Sequence, residues 1–267
     1  MKQNNVFKKA KWIACEERGE GQYVNGFRNK TECGILFRTF KINKIKRAEL
    51  RYSILGFGDI YVNGKSVRGI KTSVLWSDFH TPRFAEYKYP TSGEGNHTYY
   101  YKKIDITEFM TDGENSLSIW LGNGWYHQIC RQNEGLIDYG IPKVKAEITL
   151  EDNEGNITIV ATNNKFGRLK SPVVFNNIYF GEEYDSRIPL LLSAKTGETA
   201  YEEDDFISDA KEEDCPLDKE VKQIRPKLVF NKGSKFFMIW VKIHRVLYRS
   251  RQTQRQALGL HLSMRKK

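Results

Sequence analysis

The stretch Leu121-Gly122-Asn123-Gly124-Trp125-Tyr126-His127 holds the residue types best suited to contact a ligand. A Gly-Asn-Gly turn followed by Trp and Tyr sets two large π-faces at a loop tip, beside amide and hydroxyl groups. Such a surface suits stacking on a sugar ring, and loops on rigid β scaffolds commonly bind ligands. Asn123, Trp125 and Tyr126 are therefore the candidate carbohydrate-contacting residues. The competing reading is structural: large aromatics are usually well buried, so Trp125 and Tyr126 would plug one end of a sandwich. On frequency alone that second reading is the commoner. Residues 76–89 (Trp76, Phe79, His80, Phe84, Tyr87 and Tyr89) are also aromatic-rich and non-periodic, and read as a long loop folded over a core.

Catalytic chemistry finds little support. Glycoside hydrolysis needs two carboxyl groups across a cleft, about 5–5.5 Å apart for retention or about 6.5–9.5 Å for inversion. No sequence spacing places two acids that way. The acidic clusters 202–205 and 212–214 read as solvated loop charges, since unpaired acids are rarely buried. There is no Gly-x-Ser-x-Gly elbow, P-loop, dinucleotide fingerprint or His-Glu-x-x-His, and no nucleophile with a base beside it. No catalytic residue is expected. Cys15, Cys33, Cys130 and Cys215 are widely spaced, and with five scattered histidines they form no zinc-ligand pattern, so no metal site is expected either. Reduced thiols in a cytoplasmic protein account for them.

The elements that must position these residues are β-strands. In residues 47–55, Ala48, Leu50, Tyr52 and Ile54 alternate with Arg47, Glu49, Arg51 and Ser53, the period of a strand with one buried face. Leu117, Ile119 and Leu121 mark another strand over 116–121. Residues 143–150 turn Val144, Ala146, Ile148 and Leu150 inward and Lys145, Glu147 and Thr149 outward. Residues 99–106 and 157–162 are further β-rich runs. Turn signals separate them at Asn63-Gly64, Asp112-Gly113, Asn123-Gly124 and residues 152–155. One helical turn is suggested, over 107–110. The pattern predicts an all-β, antiparallel sandwich, jelly-roll-like, with an irregular basic C-terminal tail.

The 267 residues carry a net charge of +10, which invites a nucleic-acid partner. Thirteen Lys or Arg and no acid lie in residues 221–267, so taking those thirteen from +10 leaves residues 1–220 at −3. A nucleic-acid-binding or protein-interaction module using the basic tail is thus the alternative function, and nucleic acid is not the expected partner. No apolar run approaches the roughly 20 residues that span a bilayer, and Met-Lys-Gln-Asn-Asn has no apolar signal region. The expected location is cytoplasmic. Three zones follow: a sandwich over 10–190, an acidic connector over 191–220, and 221–267, where a further β segment passes into the basic tail.

An ordered set of landmarks resembles the N-terminal β-sandwich region of bacterial α-L-rhamnosidases. It runs from Trp12-Ile13 and residues 36–40, through 47–50, 55–67 (with Asp59-Ile60-Tyr61-Val62-Asn63-Gly64) and Trp76-Ser77-Asp78-Phe79. It continues with 99–101, 104–107, 113–117 and Leu121-Gly122-Asn123-Gly124-Trp125-Tyr126, and closes with Ile178-Tyr179-Phe180-Gly181-Glu182-Glu183-Tyr184-Asp185-Ser186-Arg187. Each piece is weak alone; the order over residues 10–190 is specific. The resemblance implies an accessory, carbohydrate-contacting or structural portion of an inverting glycoside hydrolase, inactive alone because the family's catalytic residues lie in a later barrel. It implies as partner either a rhamnose-containing carbohydrate or that missing catalytic domain. It also makes calcium conceivable, with Asp59, Asn63 and Asn123 as oxygen-bearing candidates, although calcium needs six to eight such ligands.

In the family a β segment follows that carries Tyr-Asp-(Leu/Phe/Val)-Gly-(Gln/Glu)-Asn. Codons for residues 237–243, read one base early, admit Tyr-Asp-Leu-Gly-Gln-Asn, with the Asp and Gly forced. The expectation is a frameshift near Lys235-Phe236-Phe237, leaving a truncated chain with an out-of-frame basic tail.

Overall fold

In a computed structural model of the chain, the structure describes residues 6–16, 23–24, 27–28, 33–67, 72–73, 97–124, 126–128, 137–138, 141–177, 181–203, 208–214, 228–232, 235–239 and 260–262. Two seven-stranded sheets face each other. The first runs in the order Tyr201–Glu203, Trp12–Ala14, Lys143–Asp152, Ile45–Leu55, His97–Asp105 and Ser208–Glu212, with Ile157–Ala161 also paired to Lys143–Asp152. The second runs Glu198–Thr199, Gly167–Lys170, Gly34–Ile42, Gly113–Gly122, Phe57–Val62 and Lys65–Ser66, with Thr72–Ser73 also on Phe57–Val62. Pairing is antiparallel except for Ser208–Glu212, which lies parallel to His97–Asp105. The predicted sandwich is therefore present, and the helical turn is a 3-10 turn over Thr107–Phe109. Among the described residues no helix is long and apolar enough to cross a membrane.

Alternation builds the core as the sequence indicates. Ala48, Leu50, Tyr52 and Ile54 meet Val144, Ala146, Ile148 and Leu150 within one sheet, and pack against Leu36, Ile60, Val62, Leu117, Ile119 and Leu121 of the other. Each large apolar side chain so enclosed contributes roughly 1.5–3 kcal/mol relative to exposure. At the Asn63-Gly64 turn both residues have positive φ, 52° and 73°, which matches the right-handed twist of the strands they join. Asn63 also ties the turn to its neighbours. Its Nδ2 donates to the Phe109 carbonyl and to Asn115 Oδ1, and its Oδ1 accepts from the Ser116 N–H.

The outward residues of Lys143–Asp152 depart from expectation. Lys145 and Glu147 point away from the core, yet they are 4% and 1% exposed. Residues 6–12 lie across that face and make a second apolar cluster of Phe7, Ala10, Trp12, Leu55, Tyr99, Tyr101, Tyr126 and Ala161. Phe7 meets Tyr101 edge-on at 6.0 Å, and Trp12 meets Tyr99 at 5.4 Å. The Lys145 ammonium sits 5.6 Å from the Phe7 ring centre and 6.0 Å from that of Trp12, within cation–π range. The Lys9 N–H donates to Glu147 Oε2 at 2.8 Å. Period-2 alternation identifies which side a residue faces, but not whether a remote segment covers that side.

The acidic stretch also departs from expectation. Strands Glu198–Thr199, Tyr201–Glu203 and Ser208–Glu212 fall inside the proposed connector and extend both sheets. Two of its acids are buried in ion pairs: Glu203 with Lys143 at 2.5 Å, and Glu213 with Lys102 at 3.0 Å. Glu212, by contrast, is half-exposed and meets Lys103 at the surface. The acids expected to be solvated thus divide by the lysine each can reach. In the tail, Leu228–Lys232 and Lys235–Ile239 pair as a hairpin, while the aromatic stretch 76–89 lies outside the described residues.

Removing one partner of a buried pair strands the other charge away from water. Glu203→Ala is expected to cost about 3 kcal/mol. Glu154→Ala, which breaks the exposed Lys44–Glu154 pair, should cost at most about 0.5 kcal/mol. Urea denaturation of the two variants checks the contrast, and equal midpoints would contradict the assignment.

Candidate functional site

The strand Gly113–Gly122 delivers the chain to the Asn123 loop at one end of the sandwich. The Asn123 N–H donates to Asn176 Oδ1 at 2.8 Å, its Nδ2 donates to the Asn176 carbonyl at 2.9 Å, and its own carbonyl accepts from the His127 N–H. Asn176 in turn donates to the Cys33 sulfur. Gly124 has φ 52°, and a Cβ there would lie 2.8 Å from the Gly56 carbonyl carbon. Only glycine allows the loop to lie so close to that turn.

This packing places two of the three candidates inside the molecule. Asn123 is 3% exposed and Tyr126 is 7% exposed, with Tyr126 in the second apolar cluster. Trp125 lies outside the described residues. Beside Asn123, a shallow depression is lined by Cys15, Cys33, Gly122, Ile141 and Pro142 among others. Burial pushes the Cys15 thiol well above its ordinary range, with the Glu16 charge adding to it, so the thiol stays protonated and poorly nucleophilic. Cys15 and Cys33 are free thiols; Cys130 and Cys215 lie outside the described residues.

The oxygen-bearing candidates for calcium are not brought together. Asn63 lies beside Ser116 and Asn123 beyond Gly122, so the length of one strand, roughly 20 Å, separates them. Asn63 and Asn123 are also committed to the hydrogen bonds above. Asp59 lies on the outer face of the second sheet, opposite Trp120. Among the described residues no group of three or more His, Cys, Asp or Glu could hold a metal ion. These three residues do not fit a calcium site.

That outer face carries a polar and aromatic row outside the Asn123 loop. Phe57, Asp59 and Tyr61 alternate with the inward Gly58, Ile60 and Val62, and Trp120 and Ser118 stand opposite Asp59 and Tyr61. Burial, and then the Asp59 charge, push the Tyr61 hydroxyl up to about 12. The alternation within 57–62 was the available signal. The closing landmark ends in a fork: Arg187 Nε and Nη2 donate to the two oxygens of Asp185, at 2.8 and 2.6 Å. With the Arg187 N–H they hold the Asp185 carboxyl down at about 2.

A two-layer antiparallel sandwich, with a closed core and loop residues built into its packing, defines a β-sandwich module. The chain belongs to the α-L-rhamnosidase N-terminal domain family, whose model matches residues 43–223. It is 35% identical over 150 residues to an α-L-rhamnosidase of Formosa agariphila, covering 51% of this chain and 15% of that one. To an α-L-rhamnosidase of Streptomyces avermitilis it is 24% identical over 148 residues, 54% of this chain and 12% of the other. The chain thus matches less than a sixth of the length of these relatives. Its fold is similar to that in the α-L-rhamnosidase from Dictyoglumus thermophilum, with TM-score 0.65, 22% identity, and coverage of 88% of this chain and 25% of that one. The Aspergillus terreus enzyme is alike, with TM-score 0.64, 19% identity, and coverage of 88% and 26%.

Two measurements check the site. Tyr126→Ala is expected to lower stability by about 3 kcal/mol, the range for emptying a buried aromatic position, read from a denaturant midpoint. Arg187→Gln should raise the Asp185 carboxyl from about 2 toward the ordinary value near 4, read by carboxyl NMR titration. The folded value lies below the ordinary one, so the fork's contribution is present above about pH 4 and is lost as pH falls toward 2.

Proposed function

We propose that this chain serves as an accessory, non-hydrolytic β portion of an α-L-rhamnosidase-type glycoside hydrolase. Its role is to pack against a catalytic domain that acts on rhamnose-containing carbohydrate. The observation that carries this reading is the family match over residues 43–223, taken with the small share of each relative's length that the chain spans. A rigid sandwich with charged groups enclosed on its outer face suits a scaffold role. Direct contact with carbohydrate, in this reading, falls to Trp125, because Asn123 and Tyr126 are committed to packing.

The chain is expected to release no nitrophenol from a nitrophenyl α-L-rhamnoside, even on prolonged incubation at high protein concentration. Turnover that scales with protein and survives repeated purification would overturn the proposal.

A further inference from the structure

The strand Gly181–Tyr184 belongs to neither sandwich sheet. It pairs with Val173–Asn177 on one side and with Leu260–Leu262 on the other, both antiparallel. In the second pairing Glu182 stands opposite Leu262, Glu183 opposite His261, and Tyr184 opposite Leu260. Without Leu260–Leu262 the strand would present a free edge, whose unpaired N–H and C=O groups template any extended chain. Recognition of this kind runs through the main chain and tolerates many sequences.

Charge favours the observed occupant. Glu182 and Glu183 lie on the edge strand, while Asp185, next along, is already paired with Arg187. The apolar run Ala257-Leu258-Gly259-Leu260-His261-Leu262 is flanked by Arg249, Arg251 and Arg255 before it and by Arg265, Lys266 and Lys267 after it. An acidic edge and a basic segment with a short apolar centre attract each other without shaped side-chain pockets. We propose that Gly181–Tyr184 is a β-augmentation site, and that its occupant is this chain's own tail through Leu260–Leu262. The tail covers an edge that would otherwise pair with a second molecule.

The test compares the full chain with one stopped after Arg255. The shortened chain is expected to bind a synthetic peptide of residues 256–267, and binding should restore slow hydrogen exchange, by about tenfold or more, at those of the Glu182, Glu183 and Tyr184 amides that face the tail strand rather than Val173–Asn177. The full chain, its edge already filled, should bind that peptide at least about tenfold more weakly. Two N-methylated peptides separate pairing from charge attraction. Only alternate residues of a strand turn their N–H toward a given neighbour, so methylation at 260 and 262 or methylation at 261 should abolish binding, but not both. Equal binding by the two N-methylated peptides would overturn the proposal. So would equally fast exchange in both chains at the amides of residues 182–184 that face the tail strand. A full-length variant carrying Leu260→Pro, His261→Pro and Leu262→Pro gives the same comparison without shortening the chain. No sugar turnover is measured, so these outcomes are independent of the rhamnosidase reading.

Discussion

The constraint on which the structure depends is the enclosure of the strand Lys143–Asp152 on both faces. Its inward residues fill the core, as any half-buried strand would require. Its outward Lys143, Lys145 and Glu147 are also withdrawn from water, and a buried charge is tolerated only with a partner. Each partner is remote in sequence: Glu203 for Lys143, the rings of Phe7 and Trp12 for Lys145, and the Lys9 N–H for Glu147. The first residues of the chain and the acidic stretch after residue 197 are therefore conditions for this sheet, not attachments to it.

That dependence bears on where the module begins and ends. The family model matches from residue 43, yet Trp12–Ala14 and Gly34–Ile42 supply a strand to each sheet before that point. At the other end, Glu213 donates its backbone N–H to the Tyr101 carbonyl, and its carboxylate meets Lys102. The sandwich is thus closed by pieces from both flanks of the stretch that carries most of its alternating strands. The first sheet resists opening at its edges, because neither Tyr201–Glu203 nor the strand leading to Glu213 can peel away without exposing a lysine that has lost its partner.

Much of this was legible in the residues. Strands expected over 47–55, 116–121, 143–150, 99–106 and 157–162 occur as Ile45–Leu55, Gly113–Gly122, Lys143–Asp152, His97–Asp105 and Ile157–Ala161. The first three were legible from alternation, the last two from β-rich composition, with turn signals between the runs, and all of these signals are local. What was hidden is non-local. Nothing near Glu147 in sequence announces that Lys9 will reach it, and nothing in residues 202–214 separates Glu203 and Glu213 from the half-exposed Glu212. At the candidate site, the Gly-Asn-Gly turn was read correctly as a turn, with Gly124 at positive φ. The direction in which Tyr126 leaves that turn depends on the second apolar cluster, assembled from residues 6–12 and from strands far along the chain.

The distribution of charge can now be read in physical terms. Residues 1–220 sum to −3, and some of their charges meet each other, in buried pairs such as Lys143–Glu203 and in surface pairs such as Lys46–Glu151 and Arg168–Glu198. The thirteen cations of residues 221–267 have no acids within their own stretch, so any compensation must come from the sandwich. In the pairing proposed above, the acidic strand Gly181–Tyr184 meets one short piece of that stretch, Leu260–Leu262. Main-chain pairing there asks little of side-chain identity, so a tail never shaped by core packing can still find a place.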